Sequence, residues 1–259
     1  MKILSAKNLH LDQGIKCVVY GKGGAGKTTL AQTLLSHGPV LVLSAESGML
    51  AVAGQDIDII DITKDDEGKA LKTATEKFKR LAESFKFITE TPNLRHKTIF
   101  IDSLSEIADI IFNHTKDEIE ASGKGDNGFK VWGDYANRMN TMLKRFRDMA
   151  KYNVVFTCLE DLDKDETGKM FYRPMVPGKA AKELIVPIFD EVFRLVITDD
   201  SKGIRMLLTS PTSTSDAKDR SGALEKLESP NLDKIFEKIR THVQKKTEQT
   251  ELKLEQEKK

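Results

Sequence analysis

The sequence predicts an α/β protein with a mostly parallel, doubly wound sheet and an antiparallel edge. Six short segments are rich in Val, Ile and Phe, and their apolar residues mostly follow one another instead of alternating with polar residues. Continuous apolarity is typical of parallel strands that are covered on both faces. Stretches with helical periodicity lie between them, and such alternation of strand and helix produces a doubly wound sheet. The six segments are residues 16–21, 40–44, 57–62, 98–102, 153–158 and 191–197.

The helical stretches and the sheet edge follow from the same kind of pattern. The predicted helices occupy residues 27–37, 68–87, 104–121 and 134–151. The last of them places Met139, Leu143 and Phe146 on one stripe, as in a helix that packs on a core. An additional strand in the segment GIRMLLTS, which starts at residue 203, is expected to pair antiparallel with 191–197.

Three segments interrupt the alternation of strand and helix. Residues 122–133 contain four glycines and the only tryptophan, which predicts a loop. Residues 160–180 have a polar turn followed by KMFYRPMV, which predicts a hairpin or a mobile flap. The charged end of the chain predicts a solvated helix or a frayed tail. We therefore divide the chain into a domain at 1–240 and a tail at 241–259.

Composition limits the classes of function. The chain has 259 residues, 31% of them charged, and a formal net charge of +1, so nucleic-acid contacts must come from local patches. This length is sufficient for a large core without metals or disulfides. Cys17 and Cys158 lie in strand-like runs and are expected to be buried, reduced thiols of a cytoplasmic protein. No run is long and apolar enough for a membrane span, and the first residues lack the apolar segment of a signal peptide.

The segment GKGGAGKTT fits the phosphate-binding pattern G-x-x-x-x-G-K-[ST] between a predicted strand and a predicted helix, as that pattern requires. Its glycines let backbone N–H groups face the phosphates, and the following helix adds its N-terminal dipole. Lys27 is expected to reach the β- and γ-phosphates of ATP, and the Thr28 hydroxyl to bind Mg²⁺. The predicted nucleotide-binding residues are Gly21, Lys22, Gly23, Gly24, Ala25, Gly26, Lys27, Thr28 and Thr29.

Two carboxylates at the ends of predicted strands complete this site. Asp102 lies at a predicted carboxyl edge, where ligands gather in open α/β sheets, so we predict that it is a second Mg²⁺ ligand. A helix N-cap is the alternative role at this position, but Ser103 or Ser105 fits that role better. Glu46 ends the strand after the phosphate loop, where a carboxylate can orient the attacking water or accept its proton. An ordinary exposed loop glutamate is the competing interpretation of Glu46.

These motifs resemble two known superfamilies of ATPases. Lys22-Gly23-Gly24 resembles the deviant phosphate loop of partition, septum-placement and arsenite-pump ATPases, in which an early lysine crosses a dimer interface. The chain lacks the aspartate-rich segment and the Asp-containing switch that are usual there. The order of phosphate loop, strand-end glutamate and apolar–Asp–Ser strand resembles instead the RecA, RadA and replicative-helicase core. Over residues 15–225 the chain looks closest to phage-type RecA-like P-loop ATPases, which include the fourth Sak class of single-strand annealing proteins.

The RecA-like resemblance implies an oligomeric, DNA-stimulated ATPase. It implies single-stranded DNA bound by a ring or filament of copies, with ATP and Mg²⁺ at the interfaces, and a phage-encoded protein that promotes annealing or strand exchange. The segment AKDRSG is similar to a helicase-branch motif, so Lys218 and Arg220 would reach the γ-phosphate held by the neighbouring copy. A solvated charge cluster is the alternative. In NVVFTCLED, where that family places a sensor residue, the usual polar side chain is not evident and Glu160 is the candidate.

Cations and aromatic residues in two segments are candidate contacts for single-stranded DNA. Cations neutralise phosphates, and aromatic rings stack on unpaired bases. Acidic residues in the first half of 160–180 oppose this interpretation, and a lid over the nucleotide is the alternative. A buried anchor is the alternative for the tryptophan. The candidates are Lys169, Phe171, Tyr172, Arg173 and Lys179, together with Lys130 and Trp132.

Two other functions stay open. A dimeric deviant-loop ATPase would act as a positioning or delivery switch, and it would need Lys22 where a filament or ring would need Arg220. A nucleotide kinase would need an acceptor-binding lid, and the arginine clusters typical of such lids are missing from 160–180. The tail at 241–259 would either engage a partner such as a single-strand-binding protein or serve to keep the chain in solution.

Overall fold

The computed structural model describes residues 13–123, 128–164, 167–199 and 201–256, with side chains as far as residue 249. The strands in these ranges are β1 (Lys16–Gly21), β2 (Val40–Ser44), β3 (Ile57–Asp61), β4 (Thr98–Asp102), β5 (Asn153–Lys164), β6 (Met170–Pro174), β7 (Glu191–Asp199), β8 (Ile204–Leu208), β9 (Lys218–Asp219) and β10 (Leu227–Glu228). The α-helices are α1 (Ala74–Glu90), α2 (Leu104–Ala121), α3 (Gly128–Arg147), α4 (Lys179–Ile188) and α5 (Leu232–Gln256). Two 3-10 helices, Thr28–His37 and Met49–Val52, follow β1 and β2.

The strands form one mixed sheet in the order β10-β8-β7-β1-β5-β4-β2-β3, with β6 paired to β5 and β9 to β7. From β3 to β7 every neighbouring pair is parallel. Beyond β7, β8 pairs antiparallel with β7, and β10 pairs antiparallel with β8. Both the predicted fold class and the antiparallel edge in GIRMLLTS are confirmed. The parallel arrangement brings the carboxyl ends of β1, β2, β4 and β5 to one edge of the sheet, where ligands bind in such folds.

Each face of the sheet carries its own hydrophobic core. On one face, Val18 and its neighbours pack with residues of the α-helices, including Leu143. On the other face, Val19 packs with Leu34 of the first 3-10 helix and Phe236 of α5. The central strands β1, β2 and β4 are buried along their whole length, and burial on both faces is the reason that they are apolar without alternation.

The prediction of a loop at 122–133 is wrong in its second half, because α3 begins at Gly128. Residues 124–127 lie outside the described residues. Val131 and Tyr135 are buried one helical turn apart, and Trp132 packs on Phe112 of α2. This tertiary packing outweighs the low helix propensity of the glycines at 128 and 133. Lys130 and Trp132 are therefore helical residues.

Two further helices differ from their predicted form. The segment after β1 is helical as predicted, but it is a 3-10 helix from Thr28 to His37. Helix α1 begins at Ala74 instead of near residue 68, because Thr73 and Glu76 form a reciprocal capping box. The capping box sets the start of the helix more sharply than apolar periodicity does.

The segment at 160–180 contains the predicted hairpin. Strand β5 continues past its parallel partners to Lys164 and pairs antiparallel with β6. The hydroxyl of Tyr20, next to the phosphate loop, donates to the carbonyl oxygen of Tyr172 in β6 at 3.2 Å. The hairpin is thus attached at the edge of the sheet where the phosphate loop lies.

Helix α5 crosses the predicted division at residue 240 without a break. Its first turns bury Leu232, Ile235, Phe236 and Ile239, and its later turns are largely exposed. The separation of a tail at 241–259 stays a prediction. Among the described helices, none combines the length and the apolarity that crossing a bilayer requires. Cys17 and Cys158 are buried and unpaired, as predicted.

We expect Phe236→Ala to lower the free energy of unfolding by about 3–5 kcal/mol, because it deletes a fully buried ring of α5 from the core. Urea unfolding measures this change. Lys245→Ala, an exposed position later in the same helix, serves as the control and should change stability by less than about 0.5 kcal/mol. Equal midpoints for Phe236→Ala and the unchanged protein would show that α5 is not part of the cooperative core.

Candidate nucleotide-binding site

The phosphate loop leaves β1 at Gly21 and ends where the 3-10 helix begins at Thr28. A Cβ at Gly21 would lie 2.6 Å from the carbonyl oxygen of Leu195 in β7, so a side chain there would push the two strands apart. Gly26 has a φ of 98°, in the region that favours glycine. These two requirements fix the glycines of the motif, and the start of the helix leaves N–H groups available for an anion.

The amine of Lys27 lies inside the loop. Its Nζ donates to the carbonyl oxygens of Gly21 and Lys22, each at 2.9 Å. The side chain is 8% exposed, and burial lowers the pKa of Lys27. Backbone carbonyls only partly compensate a buried cation, because they carry no net charge. An oxygen of a phosphate would complete this site.

Asp102, at the end of β4, lies next to Thr28. The Thr28 hydroxyl donates to Asp102 Oδ2 at 2.9 Å, and the Thr157 hydroxyl of β5 donates to Asp102 Oδ1. Asp102 is 2% exposed, and burial raises the pKa of its carboxyl above the usual range. Lys27 and the two hydroxyls oppose that shift. The carboxylate is thus held by neutral donors beside the phosphate loop.

Glu46 lies in the loop that follows β2, beside the end of β4. The N–H of Ala45 donates to the carbonyl oxygen of Asp102 at 2.7 Å, and the Ser103 hydroxyl donates to Glu46 Oε1. Ser103 is also the N-cap of α2, where its Oγ accepts the N–H of Glu106. The Glu46 side chain is exposed, so water can reach the carboxylate. This position suits a carboxylate that orients water.

The oxygen donors at this edge fit a magnesium ion. Mg²⁺ in nucleotide sites is usually held by one or two carboxylates together with phosphate oxygens. Thr28 and Asp102 supply a hydroxyl and a buried carboxylate that has no cation in direct contact among the described residues. In the described part of the chain, no three His, Cys, Asp or Glu side chains gather into a metal site. Thr28 and Asp102 would therefore share the ion with a bound nucleotide.

Thr157 is a further residue of this site, and it is not among the residues predicted from the sequence. The register pairs Ile101 with Phe156, so the residues that follow each of them, Asp102 and Thr157, are also close. The sequence signal for Thr157 was a polar residue in the apolar run VVFTC, which forms a strand next to one that ends in an aspartate. Glu160, the candidate sensor, is instead paired with Arg194, with 2.9 Å between Oε2 and Nε.

Lys218 and Arg220 lie at the opposite edge of the sheet from the phosphate loop. Strand β9 pairs with the start of β7, which itself lies beside the start of β1. Lys218 Nζ donates to the carbonyl oxygen of Phe189 at 2.7 Å, and Arg220 is paired with Asp190 at 2.7 Å. Within one chain neither residue reaches the nucleotide site, and their role toward a neighbouring copy stays a prediction.

The buried carboxyl of Glu191, which lies close to Lys218 and Arg220, should make the stability of the protein depend on pH. It is 1% exposed, and burial, followed by the negative charge of Asp219, raises its pKa to about 9. The folded chain therefore holds this proton more tightly than the unfolded chain, so the free energy of unfolding should fall as pH rises from about 4.5 to about 9. We expect Glu191→Gln to gain stability relative to the unchanged protein as pH rises through this range, measured by urea unfolding. A stability difference that is constant with pH would contradict this.

The candidate DNA contacts of the hairpin are partly occupied by other side chains. Arg173 lies 3.5 Å from Asp163 and 5.1 Å from the centre of the Phe171 ring. The guanidinium of Arg194 lies 3.5 Å from the centre of the Tyr172 ring. The hairpin therefore holds its arginine and aromatic side chains in place through contacts within the chain.

The remaining candidates are more exposed. Lys179 pairs weakly with Glu183 at 3.9 Å and is 80% exposed, and Lys130 and Lys169 are also exposed. The ring of Trp132 lies 4.5 Å from that of Phe112 and is 45% exposed. Part of Trp132 therefore packs on α2, as a buried anchor would, and the rest of its side chain is accessible, as a contact for single-stranded DNA would be.

A parallel sheet whose central strands end in a phosphate loop, a Thr28–Asp102 pair and a glutamate defines a P-loop nucleotide-binding protein. A family model described as an AAA domain matches residues 13–221, which is most of the chain, so the protein belongs to the AAA domain family of P-loop ATPases. The matched residues include the phosphate loop, Glu46, Asp102 and the hairpin. No curated protein matches the chain.

Proposed function

We propose that the protein hydrolyses ATP at its phosphate loop and uses that cycle to bind and release single-stranded DNA during annealing or strand exchange. One observation supports the hydrolytic part above all others. Lys27, Thr28, Asp102 and Glu46, which come from three different strand ends, meet at one edge of the sheet.

Each residue of this group has a distinct task in hydrolysis. The Lys27 amine exchanges its two backbone carbonyls for phosphate oxygens, which carry the negative charge that the carbonyls lack. Thr28 and Asp102 would hold Mg²⁺, which neutralises charge on the phosphates. Glu46 orients the attacking water, and the Ser103 hydroxyl fixes the carboxylate that does so.

In this proposal the hairpin of β5 and β6 is the contact for single-stranded DNA. The resemblance to RecA-like annealing proteins supports this contact, and so does the position of the hairpin beside the phosphate loop. Lys169 and Lys179 are exposed cations that can neutralise phosphates, and Phe171 provides an aromatic ring for stacking. Lys182 and Arg173 neutralise part of the negative charge of β5 through ion pairs with Asp161 and Asp163.

A titration of labelled single-stranded DNA, with and without ATP and Mg²⁺, tests the coupling. We expect the DNA affinity to depend on nucleotide, and Lys27→Ala to lose that dependence. A double variant, Lys169→Ala with Lys179→Ala, should weaken DNA binding more than Lys116→Ala, which removes an exposed cation from α2. DNA binding that is absent, or that is identical with and without ATP, would refute the coupling.

The number of copies in the ATP-bound complex distinguishes this proposal from a dimeric deviant-loop ATPase. We propose a ring or filament in which Arg220 acts on the neighbouring copy, and sedimentation with ATP measures the size of the assembly. Arg220→Ala should impair nucleotide-dependent assembly and turnover. A complex of two copies that depends on Lys22 would favour the deviant-loop alternative instead.

A further inference from the structure

An arginine of the antiparallel edge lies against the phosphate loop of the same chain. Arg205 is in β8, where it pairs with Ile197 of β7. A Cβ placed on Gly26 would lie 3.9 Å from both Cδ and Nε of Arg205. Gly26 precedes Lys27 in the motif, so the arginine side chain passes directly over the part of the loop that would surround a phosphate.

The register of the sheet explains why Arg205 reaches this position. Leu207 pairs with Leu195, which itself pairs with Gly21 at the end of β1. Because β8 runs antiparallel, Arg205 lies two residues, roughly 7 Å, beyond that level, at the height of the phosphate loop. Leu207 is buried in the core with Leu30 of the 3-10 helix. Alternation along the strand therefore places Arg205 on the face that carries this helix.

The guanidinium of Arg205 has no hydrogen bond, ion pair or ring contact with any residue that the structure describes, and its side chain is exposed. Arg173, Arg194 and Arg220, by contrast, each contact a carboxylate. Because its guanidinium is not paired with a carboxylate, Arg205 is available to bind an anion held by the adjacent loop.

We propose that Arg205 binds the phosphate chain of the nucleotide held by its own chain. This inference rests on the proposed nucleotide site. Guanidinium donors match phosphate oxygens in a bidentate geometry, which gives both affinity and orientation. The site would thus combine Lys27, on the inner side of the loop, with a second cation from the antiparallel edge of the sheet. Unlike Lys218 and Arg220, this cation needs no neighbouring copy.

Nucleotide titrations of Arg205→Ala test the contact. We expect ATP and ADP to bind about tenfold more weakly than to the unchanged protein, as for the loss of a charged hydrogen bond. The affinity for AMP should fall much less, because fewer phosphate charges are present. Arg205→Lys should recover part of the loss. Lys202→Ala, which removes an exposed cation from the turn between β7 and β8, is the matched control and should leave all three affinities unchanged.

Three outcomes would overturn the assignment. Unchanged affinity of Arg205→Ala for ATP would exclude the contact. Equal losses for AMP, ADP and ATP would place the guanidinium on a part that all three share, the base, the ribose or the α-phosphate, instead of on the β- and γ-phosphates. If the unchanged protein bound no nucleotide at all, the nucleotide site itself would be refuted, and this inference with it.

A mixing experiment tests whether the contact is made within one chain. Lys27→Ala inactivates its own site, and Arg205→Ala impairs its own site if the arginine acts within the chain. Mixing the two variants should then give no more ATP turnover than the sum of the separate proteins. Recovery of turnover would mean that Arg205 acts on a neighbouring copy, and would overturn the same-chain assignment.

Discussion

Lys27→Ala is expected to abolish ATP turnover and to weaken ATP binding by about 100-fold, at the upper end of what one charged hydrogen-bonding group contributes. The amine is buried in the loop with only two carbonyl oxygens, at 2.9 Å each, to hold it. In Lys27→Ala, a triphosphate bound in the loop would lack the cation that lies inside the loop. Calorimetric titration with ATP and a phosphate-release assay measure the two effects.

Lys22→Ala is the matched control for Lys27→Ala. Lys22 lies in the same loop and its carbonyl oxygen accepts from Lys27, but its side chain is exposed and has no hydrogen bond or ion pair with any described residue. Turnover close to that of the unchanged protein is expected under the RecA-like proposal. Unchanged ATP affinity in Lys27→Ala would contradict the phosphate loop as the binding site, and a loss in Lys22→Ala as large as in Lys27→Ala would favour the dimeric switch.

Glu46→Gln is expected to lower turnover by about 10²- to 10⁴-fold while ATP affinity stays within about twofold. The amide oxygen of glutamine can still accept the Ser103 hydroxyl, so the loop keeps its geometry, but the amide cannot take a proton from water. Single-turnover hydrolysis and an ATP-retention assay separate the chemical step from binding.

The control for Glu46→Gln is a carboxylate of another exposed loop, with no contact to the residues of the site. Glu67, an exposed residue of the loop that follows β3, fulfils this condition, and Glu67→Gln should leave turnover unchanged. If Glu46→Gln also hydrolysed ATP at the normal rate, Glu46 would be the ordinary loop residue of the competing interpretation.

The strands and the phosphate loop could be predicted from the sequence, because the residues that determine each of them are adjacent in the chain. The parallel strands carry continuous apolar runs because both faces are covered, and the phosphate loop carries its glycines because the backbone must approach β7 and adopt a positive φ. Asp102 ends such a run and Glu46 follows another by two residues, and both lie at the carboxyl edge of the sheet. Their roles as a Mg²⁺ ligand and as the carboxylate that orients water stay predictions.

Features that depend on distant parts of the chain could not be predicted in the same way. Thr157 contacts Asp102 only through the pairing of β5 with β4, and Arg205 reaches Gly26 only through the register of β8. The start of α3 depends on contacts of Val131, Tyr135 and Trp132 with other helices. In each case the deciding interaction joins residues that are far apart in sequence.

Strand β5 has a mechanical consequence for coupling. It is one uninterrupted element from the threonine that contacts Asp102 to the end of the strand in the hairpin, a span of roughly 23 Å between Thr157 and Lys164. In the proposed ATP cycle, any shift of Asp102 would act on Thr157, and the same continuous backbone joins Thr157 to the β5–β6 hairpin, a surface well outside the nucleotide pocket.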